Sequence, residues 1–91
     1  MKQIEDATEL KKGDIYIGYF STVKKRKKWV LYSFLYNIEN RIYGTRLITN
    51  PTLNSYWFKI GSTGNLFIER SRVYKFKDLN EAKDYIFVEE L

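Results

Sequence analysis

Cysteine and histidine are both absent from this chain. Without cysteine there is no disulfide to brace the fold and no thiolate to hold a metal. Without histidine the commonest side chain for proton transfer near neutral pH is missing, and so is the commonest transition-metal ligand. Any catalysis falls to Arg, Lys, Asp, Glu, Tyr, Ser or Thr. The carboxylates make no convincing metal site, and no motif implies a cofactor. No apolar run approaches the roughly 20 residues of a membrane span, so no membrane partner is expected. The N-terminal MKQIEDATELKK lacks the apolar centre of a secretory signal. A soluble, cytoplasmic protein is the default expectation.

Aromatic residues are plentiful, at 18% of 91 residues. A chain of this length makes a single domain over 1–91, and a small domain has little stability to spare. Large rings are the means by which such a core fills without disulfides.

Charge is unevenly placed. Residues 15 to 77 hold twelve Lys or Arg and only two acids, Glu39 and Glu69. The other nine acids lie in the two ends. A basic middle between acidic ends predicts one strongly positive surface, and polyanions are its natural partner.

The pattern of apolar residues reads as strands. DIYIGYF (14–20), KWVLYSFLY (28–36), RIYGTRLIT (41–49), SYWFKI (55–60) and LFIERSRVYKF (66–76, kinked near Ser71) are rich in branched and aromatic residues. Turns are expected at 12–14, 37–40 and 61–65, a loop at 21–27, and a break at Asn50-Pro51. Asp78 and Glu81 fit a capping box for a helix over 79–88, with Leu79, Ala82, Ile86 and Leu91 on one face. The predicted fold is mainly β: a small, strongly curved antiparallel sheet or SH3-like barrel of about five strands, with one short C-terminal helix.

The order of these signals resembles the MazF/PemK toxin family over roughly residues 10 to 77. LKKGDIYIGYF is similar to that family's opening strand. KKWVLYS stands where the family has an Arg-Pro step into its second strand. Leu47-Ile48-Thr49-Asn50 is similar to the close of its third strand, and Glu69 and Arg72 fall in the spacing of a later acid and arginine. The resemblance implies an SH3-like barrel that cleaves single-stranded RNA without metal, opposed by an antitoxin. It places Lys28 where an arginine is expected and Thr49 at the hydroxyl. The Arg-Pro step is missing, the Gly-rich substrate loop is replaced by KKRKK, and the C-terminal helix is short. A lysine does not hold a phosphate bidentately as an arginine does. In such a reaction Glu69 or Tyr16 would take the 2′-hydroxyl proton, and Lys28 or an arginine would stabilise the phosphorane.

Each candidate also has a plainer reading. Lys24, Lys25, Arg26, Lys27 and Lys28 form either a phosphate clamp or a solvated loop that keeps an aromatic-rich protein soluble. The run leads straight into a strand, which argues against a nuclear import signal. Arg41, Arg46, Arg70 and Arg72 either contact phosphates or pair with Glu39 and Glu69; Arg70 and Arg72 are expected to share one strand face. Among Tyr16, Trp29, Tyr32, Tyr36, Tyr43, Tyr56 and Trp57, most are expected in the core, with a few in a surface groove and Trp29 foremost. Thr49 and Ser71 are more often turn or strand residues. Gly61 and Gly64 belong to a hairpin turn, not a phosphate loop, because no Lys-Ser/Thr pair or helix follows.

The functional expectation is a small protein that binds RNA or DNA, either an RNA-cleaving toxin or a non-catalytic relative. A phage or mobile-element inhibitor, anti-CRISPR-like, docking on a host nucleic-acid enzyme or ribonucleoprotein, is the alternative. A structural or assembly protein is a third. The oligomeric state, a homodimer included, stays open.

Overall fold

Branched and aromatic residues set the strands, and two bulges set their curvature. The computed structural model describes residues 1–20, 28–51 and 59–90. The strands are Lys2–Gln3 (β1), Ile15–Tyr19 (β2), Trp29–Ile38 (β3), Arg41–Thr49 (β4), Thr63–Phe67 (β5) and Arg72–Phe76 (β6), followed by a helix, Leu79–Tyr85 (α1). They form one antiparallel sheet in the order β1-β6-β2-β3-β4-β5. From β2 to β5 the chain meanders; β6 then returns to the other side of β2.

The bulges lie between β3 and β4. Leu47 is an extra residue between the pairs Leu31↔Ile48 and Tyr32↔Arg46, and Leu35 between Phe34↔Gly44 and Tyr36↔Tyr43. A bulge raises local twist, and it reverses which face the following side chains take. The resulting curvature brings β5 over β2. Leu66 lies so close to Gly18, three strands away, that a Cβ there would overlap it.

Each face of the sheet has its own core. Inside the curve, Tyr16, Tyr32, Phe34, Ile42, Leu66 and Val73 pack together, joined by Ile4, Ala7 and Leu10 from the N-terminal segment. Outside, over β6, β2 and β3, Ile17, Trp29, Leu31 and Phe76 pack beneath Ala82 and Ile86. The helix is held there by a hydrogen bond between the Tyr19 and Tyr85 hydroxyls, 2.7 Å. Its start follows from capping: the Asp78 carboxylate accepts from the Glu81 amide at 2.9 Å.

The mainly β architecture and single short C-terminal helix match the sequence expectation. Several details differ. β1 and the 3-10 turn Ala7–Glu9, closed by an Asp6–Glu9 capping box, carry too few apolar residues to announce themselves. Thr63–Asn65, expected in a turn, belong to β5, because nine-residue β4 offers them partners at Thr45 to Tyr43. Residues 66–76 are not one strand. They divide into the end of β5, a 3-10 turn Ile68–Arg70, and β6, since the chain must leave β4 and reach the far side of β2. Ile60 and Gly61 form a turn, and the rest of the expected 55–60 strand lies largely outside the described residues. The α-helix gives way to a π-helical turn, Ile86–Glu90, and Leu91 is outside the described residues. Glu81 returns its carboxylate to the Lys77 amide, not to that of the cap itself. Among the described residues no helix is long and apolar enough to cross a membrane.

Candidate nucleic-acid interface

The ion pairs among the described residues gather at one edge of the molecule. The Met1 ammonium meets Glu81 at 3.3 Å, Lys2 meets Glu9 at 3.2 Å, and Lys75 meets Asp14 at 3.0 Å. All three lie around β1, β6 and the start of α1. The shallow pocket lined by Met1, Lys2, Lys75, Phe76, Lys77 and Glu81 sits there, so much of its charge is already matched. Among the described residues Lys11, Lys12, Lys28, Lys59, Lys77, Lys83, Arg41, Arg70 and Arg72 make no ion pair.

The three arginines, unlike the lysines, are held by rings. On the outer face of the β3–β4 hairpin Tyr36 stacks on Tyr43, centroids 4.7 Å apart and planes 16° from parallel. Arg41 donates to the Tyr43 hydroxyl at 3.4 Å and lies 4.4 Å from the centre of the Phe67 ring. Arg70 lies 5.1 Å from the same ring. Two residues on, Arg72 stands 5.2 Å from the Tyr19 ring. Each contact is within the range of a cation–π attraction, about 0.5–1 kcal/mol where exposed. Rings and guanidiniums thus alternate from the hairpin, across β5, to the end of β2.

At that end the β2–β3 connection begins and returns. Phe20 donates its amide to the Lys28 carbonyl at 2.7 Å, and Tyr19 pairs with both Trp29 and Arg72. Lys28 is therefore placed beside the stripe. Lys24, Lys25, Arg26 and Lys27 lie outside the described residues, as do Tyr56 and Trp57.

Several sequence expectations are corrected. Trp29, expected in a surface groove, has no exposed surface. Its register opposite Tyr19 puts it under the helix, in the outer core. Arg46 points inward, opposite Tyr32, in phase with Ile42 and Gly44 along β4. There its guanidinium donates to the Ser62 hydroxyl at 2.7 Å and the Thr63 carbonyl at 3.0 Å, tying the start of β5 to β4. It is a structural clamp. Arg70 and Arg72 do not share strand parity, since Arg70 belongs to the 3-10 turn.

Tyr16 cannot act as a base. It is fully buried against Tyr32, and burial pushes its hydroxyl well above the usual phenol range, with Tyr32 adding to the rise. Burial likewise raises Tyr32, while the nearby Arg46 charge offsets part of the rise.

The structure places Lys28 and Thr49 at the same end of the β3–β4 pair, where Val30 faces Thr49. Glu69 is elsewhere, on the turn whose first amide, from Ile68, donates to Asn40 at the opposite end of that hairpin. The described residues contain no group of three or more metal-ligating side chains. Phe67 and Ile38 went unnoticed in the sequence. The signal for Phe67 was available, as it lies three residues before Arg70, but only the fold brings Arg41 onto the same ring. Compared with family profiles, with curated proteins and with solved structures, the chain gives no match.

Proposed function

We propose that this protein binds nucleic acid along the stripe from the β3–β4 hairpin to Lys28 and the basic run that precedes it. The observation carrying this reading is that Arg41, Arg70 and Arg72 are held over aromatic rings without a carboxylate partner. Stability alone gives little reason to hold three guanidiniums over rings with no carboxylate beside them. A phosphate chain supplies the missing anions and releases its counterions in doing so. Lys24 to Lys28 are five consecutive positive charges in the sequence, of which Lys28 adjoins the stripe.

The MazF/PemK-like possibility, RNA cleavage by Lys28, Thr49 and Glu69, belongs to this reading as its catalytic form. Binding is the primary activity proposed, because Thr49 and Glu69 sit on elements anchored at opposite ends of one hairpin.

The test is a titration of labelled RNA and duplex DNA across a salt series, with the RNA then inspected for cuts. Affinity that falls steeply with salt, and falls further when residues 24 to 28 are neutralised, supports the reading. Cut RNA adds the toxin activity. No binding to either at low salt overturns it and turns attention to a host nucleic-acid enzyme as the partner.

A further inference from the structure

The hairpin end of the stripe differs from the Lys28 end. Glu39 and Glu69, the only acids between residues 15 and 77, both belong here, one in the hairpin turn and one in the 3-10 turn bonded to it. They balance Arg41 and Arg70 in charge, though neither pairs with them. General attraction for a polyanion is therefore weak at this end. Its rings are nevertheless open. Tyr36 is 50% exposed and Ile38, next on the same face, 60% exposed.

Their outward position is not the default of the strand. Without the Leu35 bulge Tyr36 would follow Phe34 onto the inner face; with it, Tyr36 stands over Tyr43. One side of the Tyr36 ring is covered by Tyr43, which fixes its orientation, and the residue keeps half its surface in water. A cross-strand aromatic pair also stabilises a hairpin by itself. That plainer role accounts for the stack, but not for the unpaired Arg41 bonded to its second ring.

We infer that the Tyr36–Tyr43 pair is a base-stacking platform, with Arg41 and Arg70 placed for the adjoining phosphates, so that this end engages unpaired nucleotides of either sugar. The inference rests on the nucleic-acid-binding reading. Every base has a face for stacking, so such a platform is tolerant of sequence; a duplex hides those faces and offers phosphates alone. The stacking contribution carries no ion release, and it separates from the charge contribution by its salt dependence.

The experiment uses the whole chain and fluorescein-labelled strands of equal length: oligo-dT, oligo-U, an abasic strand with the same phosphates, and a duplex. Wild-type protein is expected to bind oligo-dT and oligo-U alike, and the abasic strand at least about fivefold more weakly. Tyr36→Ala should erase that difference and leave the salt slope unchanged. Tyr36→Leu, which keeps an apolar side chain on the hairpin, should do the same, and its circular dichroism reports whether the fold survives. Equal binding of abasic and base-bearing strands, or a preference that survives in a folded Tyr36→Leu protein, overturns the inference while nucleic-acid binding stands. No binding to any strand removes both.

Discussion

The hydroxyl of Tyr16 rests on the backbone of Gly44, two strands away inside the curved sheet, where a Cβ would overlap it. The same Cβ would come 2.9 Å from the Ser33 carbonyl oxygen and 3.0 Å from the Tyr32 Cβ. Gly44→Ala should therefore destabilise the fold by about 1–3 kcal/mol. The hydroxyl itself has no hydrogen-bond partner among the described residues. Tyr16→Phe should stabilise the fold by about 1 kcal/mol, because it removes a buried polar atom that makes no bond. Urea melts of both single variants and the double variant test this. A double variant that loses less than the two single changes predict confirms their contact.

Acid should weaken the fold at its paired edge. Burial pushes Asp14 up, but the Lys11 amide and the Lys75 ammonium outweigh it and hold the carboxyl below its ordinary 3.8. The Thr8 amide lowers Asp6, the Glu5 amide lowers Glu9, and the Lys77 amide lowers Glu81. A carboxyl with a lowered folded value stabilises the protein above its unfolded value and loses that contribution as pH falls through the folded one. Stability should be level above the ordinary glutamate value of 4.5 and decline through 3.8 and below. Asp14→Asn should be less stable at neutral pH and show a shallower decline, read from thermal melts across the acid range.

Arg72 and Lys75 lie on one strand but should behave oppositely. Arg72→Ala should weaken nucleic-acid binding and lower the magnitude of the salt slope by about one. Lys75→Ala should leave both nearly unchanged, since Lys75 is occupied with Asp14 at 3.0 Å. Equal effects from the two would mean that overall charge, not the stripe, sets affinity.

Trp29 and Ile86 should be structural. Trp29→Phe leaves a space in the outer core and should cost about 1–3 kcal/mol, while binding per folded molecule is unaltered. Ile86→Ala, beneath the helix end, should cost about 2–5 kcal/mol. Denaturant titrations give the costs, and binding assays on the folded fraction check the separation.

The strands were legible because β2, β3 and β4 carry dense runs of branched and aromatic residues, and β4 keeps its expected bounds, Arg41–Thr49. β1 was hidden because two polar residues, Lys2 and Gln3, pair on an edge and bury nothing. The site was legible only in composition. A period of two assigns faces correctly until an extra residue enters, and Leu35 and Leu47 are extra residues without a sequence mark. The first sends Tyr36 outward and the second sends Ile48 outward, against simple alternation. Trp29 adjoins five cations in sequence, yet a neighbour in sequence along a strand faces the other way.

Tyr19 joins the stripe to the helix, since its ring lies 5.2 Å from the Arg72 guanidinium and its hydroxyl is bonded to that of Tyr85. The helix is thus a buttress for the Lys28 end of the stripe, and undocking it would release the ring on which Arg72 rests.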